Sequence, residues 1–222
     1  TSLPMPSAPH PRTWLREIFA RIRILLPLKA AGTTIFMSLF FWAYFAILRH
    51  PLAAATVMPL TRIDSGIAFT PSALPVYASL WVYVSLPPAL LTGLPTLLRF
   101  CAWMAALCLT CLAIFWLWPT TVPPADIDWT LYPQMALIKG IDPGGNACPS
   151  LHVASAVFAA IWLDCVWRSI AAPTPLRFAS ALHCILILWS TIATRQHVFY
   201  DVLAGTLMGA AFGIASLRNA AP

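Results

Sequence analysis

Hydrophobic segments long enough to cross a membrane recur along most of this chain. A helix of about 20 apolar residues spans a hydrocarbon layer of about 30 Å. Six segments reach that length, and polar or proline-containing connections separate them. They lie at residues 30–48, 74–93, 97–118, 150–169, 178–194 and 198–217. This pattern predicts an all-α fold, a polytopic membrane helical bundle of about six transmembrane helices.

The segment before the first predicted span has a different pattern. From Thr13 to Leu26, apolar residues recur at helical spacing and the charged residues gather on the other faces. The pattern predicts an N-terminal amphipathic interfacial helix, with a charged lead-in to the first span as the alternative. Residues 1–12 are rich in proline, lack the features of a signal peptide and are expected to be disordered. We divide the chain into an N-terminal tail with the interfacial helix, a six-span membrane domain and a C-terminal tail, at residues 1–29, 30–217 and 218–222.

The distribution of basic residues predicts the orientation of the spans. Five basic residues precede the first span, which by the positive-inside rule places the N-terminus in the cytoplasm. Alternation of six spans then puts Arg99, Arg168 and Arg177 inside. The connection 119–149 and the turn at His197 both fall outside. We therefore expect a multi-pass protein of the plasma, or inner, membrane with both of these segments on the non-cytoplasmic face.

Composition narrows the classes of partner. The chain is 60% hydrophobic and only 9% charged, which is far from the usual composition of a soluble domain. A net charge of +6 is compatible with nucleic-acid binding. Most of the basic residues, however, flank apolar segments, where they act as topology signals and contact anionic lipids. We expect a membrane and a lipid as partners and no nucleic acid, and the sequence leaves the oligomeric state unknown.

A polar loop at the start of the fourth predicted span ends in a histidine. Pro149 and Ser150 suit a first helical turn, because proline is tolerated there and serine can cap the free N–H groups. A helix N-terminus of this kind binds anions. A phosphate resting on Ser150 would have the His152 ring beside its ester oxygen. His152 would then be in position to donate a proton to a leaving alkoxide.

A second histidine lies at the start of the last span. His197 and Asp201 are four residues apart, so on a helix the carboxylate can hold one ring nitrogen and leave the other as a nucleophile. The same orienting logic operates in catalytic triads. Taken singly, His152 and His197 could each be a polar residue of the membrane interface.

Neither the cysteines nor the carboxylates have the spacing of a metal site. Five of the six cysteines lie within apolar segments, where they are expected to be small buried hydrophobic residues, and Cys148 alone lies beside the polar loop. Asp126, Asp128 and Asp142 are scattered along one loop. We expect no disulfide framework, no metal and no cofactor.

The two histidine stretches together resemble the type 2 phosphatidic acid phosphatase superfamily. The resemblance rests on Cys-Pro-Ser-Leu-His at 148–152, on Ser190, and on the stretch from His197 through Asp201 to Gly205. Pro-Ser-Leu-His in place of Pro-Ser-Gly-His is similar to the branch of inositol phosphorylceramide and sphingomyelin synthases. The resemblance covers residues 60–217 and implies a six-span membrane fold. It also implies a metal-independent phosphohistidine mechanism: His197 attacks phosphorus, Asp201 orients it, and His152 protonates the leaving group.

Two positions depart from the family pattern. The earlier motif of the family has a lysine and an Arg-Pro pair, whereas residues 118–124 here contain no arginine. The arginine that usually stands six residues before the nucleophilic histidine is replaced by Thr191. Arg195 and Lys139 are the outer-face cations near the motifs. We assign them to the substrate phosphate together with Ser150 and the neutral donor Asn146.

These observations predict a membrane lipid phosphate phosphatase. Transfer of a lipid head group is the first alternative. The shortage of cations favours it, because a phosphodiester carries one negative charge where a phosphomonoester approaches two. We nevertheless rank hydrolysis ahead of head-group transfer, because small membrane phosphatases are common in the superfamily and water needs no acceptor pocket. A non-catalytic lipid transporter or assembly subunit that kept the fold is the second alternative.

Overall fold

The computed structural model describes residues 13–135 and 145–218. The predictions for residues 1–12 and for Lys139 concern residues outside these ranges. The helices are α1 (Thr13–Arg23), α2 (Leu26–Arg49), α3 (Arg62–Gly66), α4 (Leu74–Ala78), α5 (Leu80–Leu90), α6 (Leu94–Leu117), α7 (Leu151–Ser169), α8 (Thr174–Ala193) and α9 (Phe199–Leu217). Two short strands, β1 (Thr56–Val57) and β2 (Thr120–Thr121), pair in parallel. Single 3-10 turns lie at Pro71–Ala73 and Trp129–Leu131.

Six helical segments of the described chain are long and apolar enough to cross a membrane. They are Leu26–Arg49, Pro71–Leu90, Leu94–Leu117, Leu151–Ser169, Thr174–Ala193 and Phe199–Leu217. Each agrees with a predicted span to within about one helical turn at both ends. The second span combines a 3-10 turn with α4 and α5. The prediction of a polytopic helical bundle with six spans is confirmed.

Glycine residues allow α9 to pack directly against α7. A Cβ atom on Gly205 would collide with the carbonyl oxygen of Ser150, and one on Gly209 would collide with the carbonyl oxygen of Ala154. The two glycines are four residues apart, and such Gly-x-x-x-Gly spacing allows two membrane helices to approach closely. In addition, the Ser150 N–H donates to the carbonyl oxygen of Asp201 at 3.0 Å. These contacts fix the start of α7 against the first turn of α9.

A cluster of basic residues lies at the far end of α7. Arg168 and Arg177 both bind the carboxylate of Asp164, at 2.7 and 2.8 Å. Arg21 of α1 donates to the hydroxyl of Ser169 at 3.0 Å. Asp164 and Arg168 are four residues apart on α7, whereas Arg177 reaches the same carboxylate from α8. Since α7 rises about 1.5 Å per residue, this end lies about 25 Å from its first turn.

Helix α2 lies at the periphery of the bundle. Lys29 is its one buried residue, whereas residues of α6, α7 and α8 such as Leu107, Phe158 and Ile187 are completely buried. The Lys29 ammonium donates to the carbonyl oxygens of Arg21 and Ala89, at 3.0 and 2.7 Å. These bonds join the inner end of α2 to α1 and to the end of α5. The rest of α2 is left as one wall of a large cavity.

Candidate active site

His152 and His197 lie against each other at one end of the bundle. His152 is in the first turn of α7, and His197 is in the turn between α8 and α9. Nδ1 of His152 and Nε2 of His197 are 3.2 Å apart. The ring centroids are separated by 5.5 Å. The fold therefore brings together two motifs that are 45 residues apart in the sequence.

Asp201 lies behind His197, on the side away from His152. Its Oδ2 is 3.5 Å from Nδ1 of His197 and accepts the Val198 N–H at 3.0 Å. Asp201 is completely buried and His197 is 7% exposed. The contact between the ring and the carboxylate is longer than a good hydrogen bond, as is common in catalytic sites without substrate. The arrangement turns Nε2 of His197 toward His152.

The loop ahead of α7 is held by β2. The carbonyl oxygen of Thr120 accepts the Ala147 N–H at 3.3 Å, and its hydroxyl accepts the Cys148 N–H at 2.8 Å. Ser150 then caps α7, because its hydroxyl oxygen accepts the Val153 N–H at 3.3 Å. The side chain of Ser150 is completely buried in this capping position. Strand β2 thus sets where α7 begins.

The turn that carries His197 is a helix C-terminal motif. The Arg195 N–H donates to Ile192 and the Gln196 N–H donates to Thr191, both at 2.9 Å, which is the pattern of a Schellman motif. Arg195 has a φ of 57°, in the left-handed region where glycine is the usual residue. An arginine at this position therefore carries backbone strain, of about 1 kcal/mol or more.

Asp64, which the sequence analysis missed, ties α3 to this turn. The side chain is 2% exposed, and its Oδ1 accepts the Phe199 N–H at 2.8 Å. The Arg195 guanidinium donates to the backbone carbonyls of Asp64 and Ile67, at 3.3 and 3.0 Å. The signal in the sequence was the capping box Thr-x-x-Asp beginning at Thr61, which the structure contains. Nothing in the sequence linked this box to His197.

The residues predicted to bind phosphate occupy different environments. Arg195 lines a cavity beside His197. Asn146 is 6% exposed, and its side-chain amide nitrogen has no hydrogen-bond partner among the described residues. Ser150 is buried in its capping position, and Lys139 lies outside the described residues. Thr191 is completely buried, so an uncharged residue occupies the position where the family usually has arginine.

Two cavities lie on either side of the histidine pair. The outer cavity has a volume of about 400 Å³ and is lined by His197, Arg195, Asp64 and the loop 122–127. The inner cavity has a volume of about 870 Å³ and is lined by His152 and by mostly apolar residues of α2, α5 and α6. Each imidazole therefore lines one cavity: charged side chains line the outer one together with apolar residues, and the inner one is almost entirely apolar.

The aromatic residues Tyr77 and Trp81 surround His152 in the inner cavity. The hydroxyl of Tyr77 is 3.0 Å from Nε2 of His152, and the Trp81 ring packs edge-on against the imidazole at 6.1 Å between centroids. Neither residue could be identified from the sequence, because an aromatic residue in an apolar span is usually part of the core. Tyr77 and Trp81 are four residues apart, and this spacing of one helical turn is expected both for residues of the core and for residues of a binding site.

Cys148 lies beside Asp201. Burial and the negative charge of the carboxylate raise the pKa of the Cys148 thiol to about 11. Cys148 is therefore a neutral thiol at physiological pH and a weak donor. Within the described ranges, no group of three or more His, Cys, Asp or Glu side chains is arranged to hold a metal ion.

Comparison with known proteins identifies the family. The family model of the PAP2 superfamily, that of the type 2 phosphatidic acid phosphatases, matches residues 97–221. No curated protein and no solved structure matches the chain. The match covers more than half of the chain and contains His152, His197 and Asp201, whereas Asp64 and Tyr77 precede it. The branch within the superfamily stays a prediction. The chain belongs to the PAP2 superfamily, a family of phosphatases and phosphotransferases.

Proposed function

We propose that this protein is a membrane lipid phosphate phosphatase that acts through a phosphohistidine intermediate on His197. One observation carries the proposal. The Nε2 atom of His197, with the buried Asp201 behind the ring, lies 3.2 Å from His152. His152 in turn lines an apolar cavity inside the bundle. A nucleophile and a proton donor thus meet at the edge of a compartment suited to a hydrocarbon chain.

The apolar cavity supports a lipid as the substrate. Its volume of about 870 Å³ lies within the range of ligand pockets, about 300–1,000 Å³. Aromatic and aliphatic side chains form its walls, among them Phe36, Phe40, Tyr44, Leu97 and Met104. A water-soluble phosphate ester would gain nothing from such walls, whereas an alkyl or prenyl chain buries apolar area there.

The first half of the reaction forms the phosphoenzyme. The phosphate enters between the two rings, and His152 takes up one proton from solvent as the anion separates it from His197. The lone pair on Nε2 of His197 forms the N–P bond while the P–O bond to the lipid breaks, with its electron pair going to the lipid oxygen. The Nδ1 proton of His152 moves to that oxygen. The lipid alcohol is then left in the apolar cavity.

The second half of the reaction hydrolyses the phosphohistidine. A water molecule gives a proton to Nδ1 of His152 as its oxygen attacks phosphorus. The N–P bond breaks and its electron pair returns to Nε2 of His197. Inorganic phosphate leaves through the outer cavity, and the extra proton on His152 returns to solvent. Asp201 stabilises the positive charge that develops on His197.

The site compensates for its few cations with helix N-termini. Both α7 and α9 begin beside the histidines, and the positive ends of two helix dipoles favour an anion there. Arg195 adds a full positive charge at the outer cavity. The buried amide nitrogen of Asn146 is available as a neutral donor. In this proposal Ser150 and Lys139 complete the phosphate-binding set.

Transfer of a lipid head group is the second candidate, and the size of the outer cavity favours it. Its volume of about 400 Å³ far exceeds the share of about 30 Å³ that one water molecule occupies in the liquid. Asp64 and Asp126 line it together with Arg195. A polar head group attached to phosphorus would fit in this compartment while the lipid chain lies on the other side of the histidines.

The proposal places the site on the non-cytoplasmic face of the plasma, or inner, membrane. Its support is the basic cluster of Arg21, Arg168 and Arg177 at the opposite end of the bundle, which by the positive-inside rule faces the cytoplasm. Single cysteines introduced as Asp128→Cys and Pro173→Cys in a cysteine-free variant test the orientation. An impermeant reagent should label position 128 and spare position 173 in intact cells. The reverse result means an inverted topology.

Activity is tested with purified protein in detergent and a ³²P-labelled lipid phosphate, with EDTA present throughout. We expect release of inorganic phosphate and a labelled protein that survives alkali and loses its label in acid. His197→Ala should abolish both, while the control His50→Ala, at an exposed histidine outside both cavities, should not.

Other outcomes of the same assay point elsewhere. Exchange of a labelled head group between lipids without release of phosphate favours the transferase. Loss of activity in EDTA that magnesium or zinc restores would replace phosphohistidine chemistry by metal-assisted attack. Lipid transport without either reaction favours a non-catalytic carrier.

A further inference from the structure

Tyr77 makes a direct contact with one of the two histidines from outside the matched part of the chain. Its hydroxyl lies 3.0 Å from Nε2 of His152, and the two ring centroids are 5.0 Å apart. The side chain is 7% exposed. Tyr77 belongs to α4, before the family match at residues 97–221. The contact therefore adds a fourth member to the row formed by His152, His197 and Asp201.

The two ends of this row determine which ring nitrogens carry protons. A carboxylate oxygen accepts hydrogen bonds, so the Asp201 side chain beside Nδ1 of His197 favours the tautomer with the proton on Nδ1 and a bare Nε2. Nδ1 of His152 must then donate to this bare nitrogen. The remaining nitrogen of His152 is therefore the acceptor for the Tyr77 hydroxyl. In this set of tautomers both contacts of His152 are hydrogen bonds, at 3.2 and 3.0 Å, and Nδ1–H of His197 faces the Asp201 carboxylate at the longer distance of 3.5 Å.

We propose that Tyr77 is a positioning residue that keeps Nε2 of His152 occupied, so that the proton exchanged with the substrate is always the one on Nδ1. The inference rests on the proposed function, in which His152 is the proton donor. Without Tyr77, only the contact with His197 would favour a proton on Nδ1 of the neutral ring, and the phosphate breaks that contact when it enters between the two rings. Only the Nδ1 tautomer presents an N–H toward His197 and the phosphate.

The Tyr77 hydroxyl can bind both the neutral and the protonated ring of His152, because a hydroxyl can donate or accept a hydrogen bond. In the neutral resting ring, the Tyr77 O–H donates to Nε2. Once His152 has taken up a proton, Nε2–H donates to the Tyr77 oxygen instead. When the Nδ1 proton then moves to the lipid oxygen, the N–H on Nε2 stays bound to Tyr77. Phenylalanine has the same ring and can do neither.

The test compares Tyr77→Phe with a matched control on the same span, Tyr83→Phe. Tyr83 is 3% exposed, and its hydroxyl donates to the Ser180 carbonyl oxygen at 3.0 Å. Both variants remove one hydroxyl from a buried, hydrogen-bonded tyrosine. Tyr83, however, contacts no catalytic histidine and lines neither cavity. A decrease in rate that occurs in Tyr77→Phe and not in Tyr83→Phe is therefore caused by the missing contact with His152.

The kinetic measurement is single-turnover formation of the phosphoenzyme with two substrates. With a lipid phosphate, whose alkoxide needs a proton, we expect Tyr77→Phe to slow the step by about tenfold to a hundredfold. With a nitrophenyl phosphate, whose leaving group barely needs one, the rate should stay close to that of the wild type. Tyr83→Phe should change neither rate. Equal losses on both substrates would overturn the inference, as would no loss on either.

A second measurement reads the tautomer without any reaction. In ¹⁵N-histidine-labelled protein in detergent, the signal of His152 is assigned by its absence in His152→Gln. The wild type and Tyr83→Phe should show His152 protonated on Nδ1, whereas Tyr77→Phe should show a mixture of tautomers. An unchanged His152 spectrum in Tyr77→Phe contradicts the inference. If no phosphoenzyme forms even in the wild type, the proposed function fails while the tautomer measurement still decides the role of Tyr77.

Discussion

The backbone N–H of Phe199 donates a hydrogen bond to the buried carboxylate of Asp64 at 2.8 Å, across 135 residues of sequence. Phe199 begins α9, and His197 lies two residues before it. The small outer helix α3 thereby holds the start of the helix that carries Asp201. The position of His197, the proposed nucleophile, thus depends on a residue that belongs to neither histidine motif.

Asp64→Ala should lower both stability and activity. The change removes the capping box of α3 and leaves the Phe199 N–H without its partner, at a cost of about 1–3 kcal/mol. Thermal unfolding in detergent and the rate of phosphate release measure the two effects. Asp128→Ala is the control, since Asp128 also caps a short turn but is exposed. Equal effects of the two substitutions would contradict the role of Asp64.

Arg195→Gly and Arg195→Ala should separate backbone strain from the function of the guanidinium. Both lose the bonds to the carbonyl groups of Asp64 and Ile67. Of the two replacements, only glycine adopts the φ of 57° at this position without strain. Arg195→Gly should therefore be the more stable variant by about 1 kcal/mol. Activity should fall by a similar factor in both, about tenfold or more, if the guanidinium contacts phosphate. Full activity in Arg195→Gly would remove Arg195 from the phosphate site.

The two histidines should respond differently to the leaving group. His152→Ala should form the phosphoenzyme from a nitrophenyl ester much faster than from a lipid phosphate, because the activated leaving group barely needs a proton. His197→Ala should be inactive with both substrates. Asp201→Asn should lose about a hundredfold or more with both, since the ring survives without its orienting charge. Rescue of His197→Ala by the activated ester would mean that the roles are reversed.

Gly209→Ala should disturb the site from a distance. The added methyl group would collide with the Ala154 carbonyl oxygen on α7 and force α7 and α9 apart, at a cost of about 1–3 kcal/mol. Both melting temperature and activity should fall. Gly66→Ala is the control, because a Cβ atom there has no neighbour within 4 Å. An unchanged melting temperature in Gly209→Ala would show that the helix contact tolerates a methyl group.

Cys148 should react slowly with alkylating reagents at neutral pH. Burial and Asp201 raise the pKa of its thiol from 9.0 to about 11, which lowers the thiolate fraction about a hundredfold. The rate should therefore keep rising with pH up to about 11. Asp201→Asn removes the negative charge, so it should lower the pKa and speed the reaction. A variant whose only cysteine is Cys148 allows the measurement, and a rate unaffected by Asp201→Asn would argue against the contact.

The parts of the fold that follow from local spacing could be predicted from sequence. Apolar periodicity gives the spans, because each span depends on one helix at a time. The four-residue interval between His197 and Asp201 gives their pairing, although His197 lies in the turn before α9 and not on the helix. Asp64 and Tyr77 could not be found in this way. Their partners lie 135 and 75 residues away, and an aspartate in a loop or a tyrosine in a span carries no local sign of such a contact.

The placement of the phosphate-binding set shows a second limit of sequence reasoning. The spacing around Ser150 correctly indicated a helix cap, but not that the cap would be completely buried against α9. Arg195 was selected for its charge. Its left-handed backbone and its bonds to α3 depend on the end of α8 and on a distant loop. Tertiary packing, which is not encoded in any short motif, decides these positions.

The position of the histidine pair between a cavity with charged side chains and an almost entirely apolar cavity has a consequence for product release. In the proposed reaction, the lipid alcohol is formed on the His152 side and inorganic phosphate on the His197 side. Each product partitions directly into its own phase, and neither has to pass the other on the way out. Lipid alcohol accumulating in the membrane and phosphate accumulating in the aqueous phase would then inhibit turnover independently, each by occupying its own cavity.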